Sequence, residues 1–96
     1  MRRCFLVCYD ICSPRRWRKV FKLLKGYGEH WQYSIFFCVL KDIDRVRLES
    51  SLKDAINQKD DQVLMVDLGA NEDAARQAAV VLGQSMPEPN SGMVVV

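Results

Sequence analysis

The chain has 96 residues, of which 49% are hydrophobic, and its formal net charge at pH 7 is +2. These values exclude an intrinsically disordered chain and favour one globular domain, at the small end of the range that buries its own core. No apolar run reaches the roughly 20 residues that a membrane-spanning helix requires. We therefore expect a cytoplasmic chain that has no membrane partner.

The first predicted element is a strand over residues 4–11, an unbroken apolar run that contains a carboxylate near its end. Such a run, stopped by Ser13 and Pro14, is typical of a strand that is buried on both faces. Asp10 stands where the chain leaves the sheet, and a carboxylate beside apolar surface costs free energy unless it finds a partner. Asp10 alone favours a role as a cap of the next turn or helix, with a divalent-metal ligand as the alternative.

A basic amphipathic helix is predicted next. Ser13 can cap its start, Pro14 suits its first position, and Gly26 is expected to close it in the left-handed conformation. Apolar residues recur at helical spacing on the face that we expect to meet the core, namely Trp17, Val20, Phe21 and Leu24. The other faces carry six cations: Arg15, Arg16, Arg18, Lys19, Lys22 and Lys25.

The rest of the chain alternates between strands and helices. We predict a turn at 26–28, one strand at 32–40, a helix from Lys41 with Leu48, Leu52, Ala55 and Ile56 on one face, a loop at 57–61, a strand at 62–68 and a helix at 71–82. The domain organisation that follows is a folded domain over 1–83, a linker over 84–92 and a C-terminal strand over 93–96.

This order of elements predicts an α+β fold of the ferredoxin-like βαββαβ type, although it supplies only one long strand at 32–40 where that plan has two. The strands at 4–11 and 62–68 are apolar on both faces. Helices would cover one face of the sheet, so the other face needs a second cover. The economical cover is a second copy of the chain, and we expect a two-fold homodimer through the open sheet face.

Charge is distributed unevenly along the chain. Residues 1–25 carry eight basic groups and one acidic group, a net charge of +7, whereas residues 26–96 carry six basic and eleven acidic groups, a net charge of −5. The basic part predicts a polyanionic partner such as nucleic acid. The alternative, that these charges only solvate a helix face, leaves the mutual repulsion of the cations without compensation.

Cysteine and histidine spacing gives no indication of a zinc site. The four cysteines lack a C-x-x-C pair, and His30 is the single histidine. We expect the thiols to be reduced and mostly packed as small apolar groups, and His30 to lie solvated in a turn.

Five short motifs, in order over residues 4–69, resemble the CRISPR-associated protein 2 family. They are Tyr9-Asp10-Ile11, the basic helix segment RRWRKV from Arg15, Gly26-Tyr27-Gly28, Gln32-Tyr33-Ser34-Ile35-Phe36, and Asp61-Gln62-Val63 with the closing Leu68-Gly69. The resemblance implies a ferredoxin-like homodimer that is a metal-dependent endonuclease. It also implies a partnership with CRISPR integrase subunits, in which the dimer holds captured DNA and the C-terminal strand pairs with the partner subunit.

The resemblance also implies roles for individual residues. Asp10 matches the metal-binding aspartate, and Tyr9 stands beside it as a second catalytic position. Nucleic acid would be bound by Arg15, Arg16, Arg18, Lys19 and Lys22, and the site would be supported by Ser34 and Phe36. Many members of the family have a charged residue after that Phe, where this chain has Phe37.

One aspartate per chain cannot hold a divalent ion selectively, so the predicted Mg²⁺ or Mn²⁺ would be shared between the two Asp10 of a dimer. A metal so placed would activate water for phosphodiester hydrolysis, while arginines stabilise the developing charge. No general base is evident.

The alternative function is a non-catalytic dimeric scaffold that binds nucleic acid. A structural domain without nucleic acid does not explain the basic part, an RNA-recognition motif lacks its aromatic signatures, and DNA and RNA both remain open as substrates.

Overall fold

The computed structural model describes residues 1–84 and 94–95. Its main feature is a four-stranded antiparallel sheet, formed by β1 (Arg2–Asp10), β2 (Gly28–Gln32), β3 (Ile35–Lys41) and β4 (Gln62–Gly69). The strand order is β2-β3-β1-β4. The other elements are the helices α1 (Pro14–Lys25), α2 (Asp42–Ala55) and α3 (Glu72–Gln77), and the short strands β5 (Val80–Val81) and β6 (Val94–Val95).

The order β1-α1-β2-β3-α2-β4 confirms the predicted α+β class and the βαββαβ arrangement. The prediction of a single strand at 32–40 was wrong, because the chain turns at Tyr33 and Ser34 and forms the hairpin β2–β3. Gly28 lies at the start of this hairpin, where an added Cβ would meet Cys38 Sγ and Phe37 O at 2.5 Å. A residue without a side chain is therefore required where β2 approaches β3.

Helices α1 and α2 cover one face of the sheet and form the main core with it. Its buried residues are Phe5, Val7, Tyr9, Val20, Leu24, Phe36, Cys38, Leu40, Leu48, Leu52 and Ala55. Ser13 caps α1 as predicted, since its side-chain oxygen accepts a hydrogen bond from Arg16 N. The predicted left-handed closure at Gly26 was wrong, because this residue has φ −76° and continues the right-handed conformation.

The second face of the sheet is covered in part by the chain itself. Ala75 of α3 packs against Cys4, Trp31 and Phe37. Arg76 of the same helix places its guanidinium 4.6 Å from the centre of the Phe37 ring. The uncovered part lies along β1 and β4, where Leu64 and Val66 are exposed. We expected a second copy to cover this face, but helix α3 already covers the part that contains Cys4, Trp31 and Phe37.

The C-terminal part of the described chain differs from its prediction in length. Asn71 caps α3 as predicted, but the helix ends at Gln77 and does not reach residue 82. Strand β5 follows it and pairs in parallel with β6 of the same chain. Residues 85–93, which include most of the predicted linker, lie outside the described residues, and pairing of 93–96 with a partner subunit stays a prediction. Within the described residues, no helix has the length and apolar content needed to cross a membrane.

Candidate metal and nucleic-acid site at the end of strand β1

Asp10 is the last residue of β1 and pairs with Gln62 at the corresponding end of β4. Its side chain is exposed, and among the described residues it has no hydrogen-bond or ion-pair partner. Helix α1 is capped by Ser13, so the capping role considered for Asp10 is wrong. The carboxylate is therefore free to bind a ligand from outside the chain.

A cleft of about 340 Å³ opens beside Asp10, between the first turn of α1 and the turn of the β2–β3 hairpin. Its volume lies at the lower end of the roughly 300–1,000 Å³ that is typical of small-molecule sites. The lining residues come from three separate segments and are Tyr9, Asp10, Ile11, Trp17, Tyr33 and Ser34.

Tyr9 precedes Asp10 but is buried in the core on the helix side of the sheet. Its hydroxyl donates a hydrogen bond to Tyr33 O at 3.0 Å, and its backbone N–H donates to Ser34 O at 3.1 Å. Burial, with a smaller contribution from Tyr33, raises the pKa of Tyr9 to about 12. The hydroxyl therefore stays protonated at neutral pH and positions the hairpin turn, while a catalytic role of Tyr9 stays a prediction.

Ser34 and Phe36, the two predicted supporting residues, contact the site in different ways. Ser34 lines the cleft, whereas Phe36 is fully buried in the core. The Phe36 ring lies 6.2 Å from the Tyr9 ring and 5.5 Å from Phe21, between centroids. Phe36 thus packs against Tyr9, which lines the cleft, and its role in supporting the site stays a prediction.

The basic helix has two kinds of cation. Arg16 forms an ion pair with Asp61, with Nε 2.6 Å from Oδ2. Within the described part of the chain, the other predicted nucleic-acid ligands are exposed and have no hydrogen-bond or ion-pair partner through their side chains; they are Arg15, Arg18, Lys19 and Lys22. These four cations are available to bind phosphates, whereas Nε and Nη2 of Arg16 are bound to Asp61 and a nucleic-acid role of Arg16 stays a prediction.

Asp61 was not predicted as a functional or structural residue, although it belongs to a motif of the family resemblance. Its side chain is fully buried and also accepts hydrogen bonds from Cys12 N at 2.9 Å and Asn57 N at 2.8 Å. The hydrogen bond from Arg16, followed by these backbone bonds, holds the pKa of Asp61 well below its usual range. The sequence offered no signal for this pair, since six cations in α1 were equally plausible partners.

The donor set for a metal is incomplete in one chain. Among residues 1–84 and 94–95, no three His, Cys, Asp or Glu side chains lie close enough together to hold a metal ion. Asp10 and Ser34 both line the cleft, and their side chains carry hard oxygen donors of the kind that Mg²⁺ and Mn²⁺ bind. Asp10 and Ser34 can therefore supply part of a coordination shell. In the predicted site shared between two chains, the second chain would supply the other part.

The prediction for His30 was wrong. This residue lies in β2, not in a turn, and its ring packs between Phe21 at 5.1 Å and Phe36 at 4.9 Å, between centroids. Its Nε2 is buried and has no hydrogen-bond partner among the described residues. His30 is not among the residues that line the cleft at Asp10, so the structure assigns no general base there.

Comparison with known sequences identifies related proteins. A family model described as CRISPR associated protein Cas2 matches residues 2–76. The CRISPR-associated endoribonuclease Cas2 1 of Rhodospirillum rubrum is 48% identical over 69 residues, which are 72% of this chain and 68% of the relative. The CRISPR-associated endoribonuclease Cas2 of Geobacter sulfurreducens is 39% identical over 72 residues, 75% of this chain and 76% of the relative.

Solved structures show the same similarity. Hypothetical protein TT1823 of Thermus thermophilus has a TM-score of 0.70 at 28% identity, over 73% of this chain and 85% of that one. Streptococcus pyogenes Cas2 at pH 6.5 has a TM-score of 0.62 at 31% identity, over 66% and 82% of the two chains. A chain of a partial Cas6-RT-Cas1–Cas2 complex has a TM-score of 0.56 at 26% identity, over 75% and 82%.

Proposed function

The chain belongs to the Cas2 family of CRISPR-associated proteins, and we propose that its part in CRISPR adaptation includes metal-dependent phosphodiester hydrolysis by a homodimer. RNA is the proposed substrate, since several relatives are named endoribonucleases. The observation that carries the proposal is the exposed Asp10 carboxylate, which has no partner among the described residues and lines a cleft beside a basic helix.

The position of Asp10 in the sheet supports the proposed homodimer. Side chains alternate along β1, so Asp10 lies on the same face as Leu6 and Cys8, opposite the helices. The neighbouring apolar residues Leu64 and Val66 of β4 are exposed on this face. A second copy packed against them would bury this surface and bring the two Asp10 carboxylates close to a common axis.

Within such a dimer, each residue of the site has a proposed task. The two Asp10 carboxylates would hold Mg²⁺ or Mn²⁺, and the ion would supply Lewis acidity and lower the pKa of an attacking water. Arg15 and Arg18 bind the phosphates that flank the cleaved bond. Tyr9 and Phe36 position the hairpin turn, so that the cleft keeps its shape when a strand enters.

We also propose that the dimer binds integrase subunits and captured DNA in the cytoplasm. The similarity to a chain of a partial Cas6-RT-Cas1–Cas2 complex supports a Cas1-type partner. The exposed cations of α1 support binding of the DNA backbone, since phosphates are bound mainly by lysine and arginine side chains.

A non-catalytic scaffold is the second candidate function. It is favoured by the incomplete donor set of the described chain and by the packing of His30 away from the cleft. Efficient hydrolysis normally uses a complete set of metal ligands and a general base. The described residues of one chain supply neither at the cleft. The scaffold needs the basic helix but does not need Asp10.

Cleavage assays with the purified full chain separate the two functions. Labelled RNA and DNA are incubated with Mg²⁺, with Mn²⁺ or with chelator, and wild type is compared with Asp10→Asn. Asp54→Asn, which removes an exposed carboxylate from α2, is the matched control. The nuclease function is supported if cleavage depends on metal, is abolished in Asp10→Asn and is retained in Asp54→Asn. Cleavage that persists in Asp10→Asn contradicts the proposed site, and intact binding without any cleavage supports the scaffold.

A further inference from the structure

Tyr33 is an exposed aromatic residue in the turn of the β2–β3 hairpin, and 72% of its surface is accessible. One side of its ring packs on Trp17 of α1, with 5.3 Å between the ring centroids and 28° between the planes. A large aromatic surface so exposed on a turn is a feature of binding sites, since folding alone favours its burial.

The orientation of the Tyr33 ring is fixed from two directions. Trp17 stacks in turn on Phe21, with 5.2 Å between centroids and 16° between planes. The backbone of the turn is held by Tyr9, which donates hydrogen bonds to Tyr33 O and Ser34 O. A flat ligand that packs against Tyr33 therefore meets a preorganised surface and loses little free energy in ordering it.

The stacked pair lies at the candidate site. Tyr33 and Trp17 line the same cleft as Asp10. Trp17 Nε1 is buried and has no hydrogen-bond partner within the described part of the chain, so the exposed surface of the pair is that of the Tyr33 ring. Arg18 and Arg15, exposed on the same helix as Trp17, supply positive charge nearby.

We propose that Tyr33, backed by Trp17, stacks an unpaired nucleobase of a strand whose phosphate lies at Asp10. This inference rests on the proposed function for the choice of ligand and adds its class, a single-stranded nucleic acid or the splayed end of a duplex. Bases in a continuous duplex have both faces covered by their neighbours and offer no free face to Tyr33. Stacking accepts all four bases, so the preference is for strandedness and not for sequence.

The test measures binding and not cleavage. Asp10→Asn protein without metal is titrated against a labelled single strand and its duplex, and Tyr33→Ala and Tyr33→Phe are introduced into that protein. Loss of one stacked base costs about 1–3 kcal/mol, so Tyr33→Ala should weaken single-strand binding about 5- to 150-fold and duplex binding less than about 2-fold. Tyr33→Phe keeps the ring and should bind within about 2-fold of its parent. Ile43→Ala, which trims an exposed apolar residue of α2, is the control.

An abasic strand shows whether Tyr33 acts through a base. Removal of the stacked base should weaken binding to the parent as much as Tyr33→Ala does, and should weaken binding to Tyr33→Ala no further. Equal weakening of single strand and duplex, or no weakening of either, overturns the proposal. Unaltered oligonucleotide binding combined with abolished binding of Cas1 also overturns it and assigns Tyr33 to a protein interface. None of these binding measurements requires cleavage. Their result can therefore be interpreted even if the nuclease assay shows no activity.

Discussion

Arg16 and Asp61 are 45 positions apart in the sequence and form a bidentate ion pair, with Nε 2.6 Å from Oδ2 and Nη2 3.2 Å from Oδ1. The buried carboxylate also accepts the backbone N–H of Cys12, two residues after Asp10. One interaction thus joins the start of α1 to the loop before β4 and fixes the direction in which the chain continues after Asp10.

Loss of this ion pair should destabilise the fold. Arg16→Ala leaves the buried Asp61 carboxylate without its charged partner, which is more costly than removal of an exposed cation. We expect the midpoint of thermal unfolding to fall by several degrees in Arg16→Ala. Arg15→Ala, which removes a neighbouring exposed cation, should change it little. Equal midpoints for the two variants would contradict a structural role of the pair.

The same pair predicts a specific acid sensitivity. The pKa of Asp61 is lower in the folded state than in the unfolded chain. The ionised carboxylate therefore contributes fully to the free energy of unfolding above about pH 4, and this contribution is lost as pH falls further. The difference in free energy of unfolding between wild type and Arg16→Ala should therefore be largest near neutral pH and shrink below about pH 4. Denaturant titrations at several pH values measure it. Glu29 and Asp67 also have lowered pKa values. Both residues are present in the two proteins, so their contributions cancel in the difference in free energy of unfolding.

Binding to duplex DNA should depend on the exposed cations of α1. Arg15→Ala combined with Arg18→Ala should weaken binding and flatten the dependence of log K on log salt, by roughly 0.9 for each phosphate that is no longer neutralised. Arg47→Ala combined with Lys53→Ala removes two exposed cations from α2 and is the control. A salt slope that is unchanged in the α1 variant, or equally flattened in both, would place the binding surface elsewhere.

Self-association should depend on the uncovered part of the second sheet face. Leu64→Lys places a charge in the proposed interface and should shift light scattering from dimer to monomer, because a buried lysine without a partner opposes association. Val46 of α2 is equally exposed, at 54%, so Val46→Lys tests an added charge outside the interface. A dimer that tolerates Leu64→Lys would show that the two copies meet through another surface.

The sequence predicted the elements that have strong internal periodicity and missed those that depend on distant partners. Helix α1 and strand β1 were predictable because their patterns are long and their caps lie within a few residues. Strand β2 was missed because Gly28, Glu29 and His30 have no apolar alternation and are ordered by pairing with β3. The turn at Tyr33 and Ser34 contains neither glycine nor proline to mark it.

For the site, the sequence predicted the position of Asp10 but not its surroundings. The stacking of Tyr33 on Trp17 and the ion pair of Arg16 join segments that are 16 and 45 residues apart. Such contacts follow from the packing of α1 against the sheet, which a pattern within one segment does not specify. The predicted length of the last helix failed for a related reason, since Val80 and Val81 pair with a strand beyond it.

Helix α3, although only six residues long, determines which part of the sheet other molecules can reach. Trp31 and Phe37, stacked 4.6 Å apart between centroids, lie in the cluster that includes Ala75 of this helix. A protease cut before residue 71 would release this cover and join the two aromatic rings to the exposed apolar edge at Leu64. Large apolar patches of this kind promote non-specific aggregation. Helix α3 thus keeps the apolar surface of Trp31 and Phe37 from contact with other molecules.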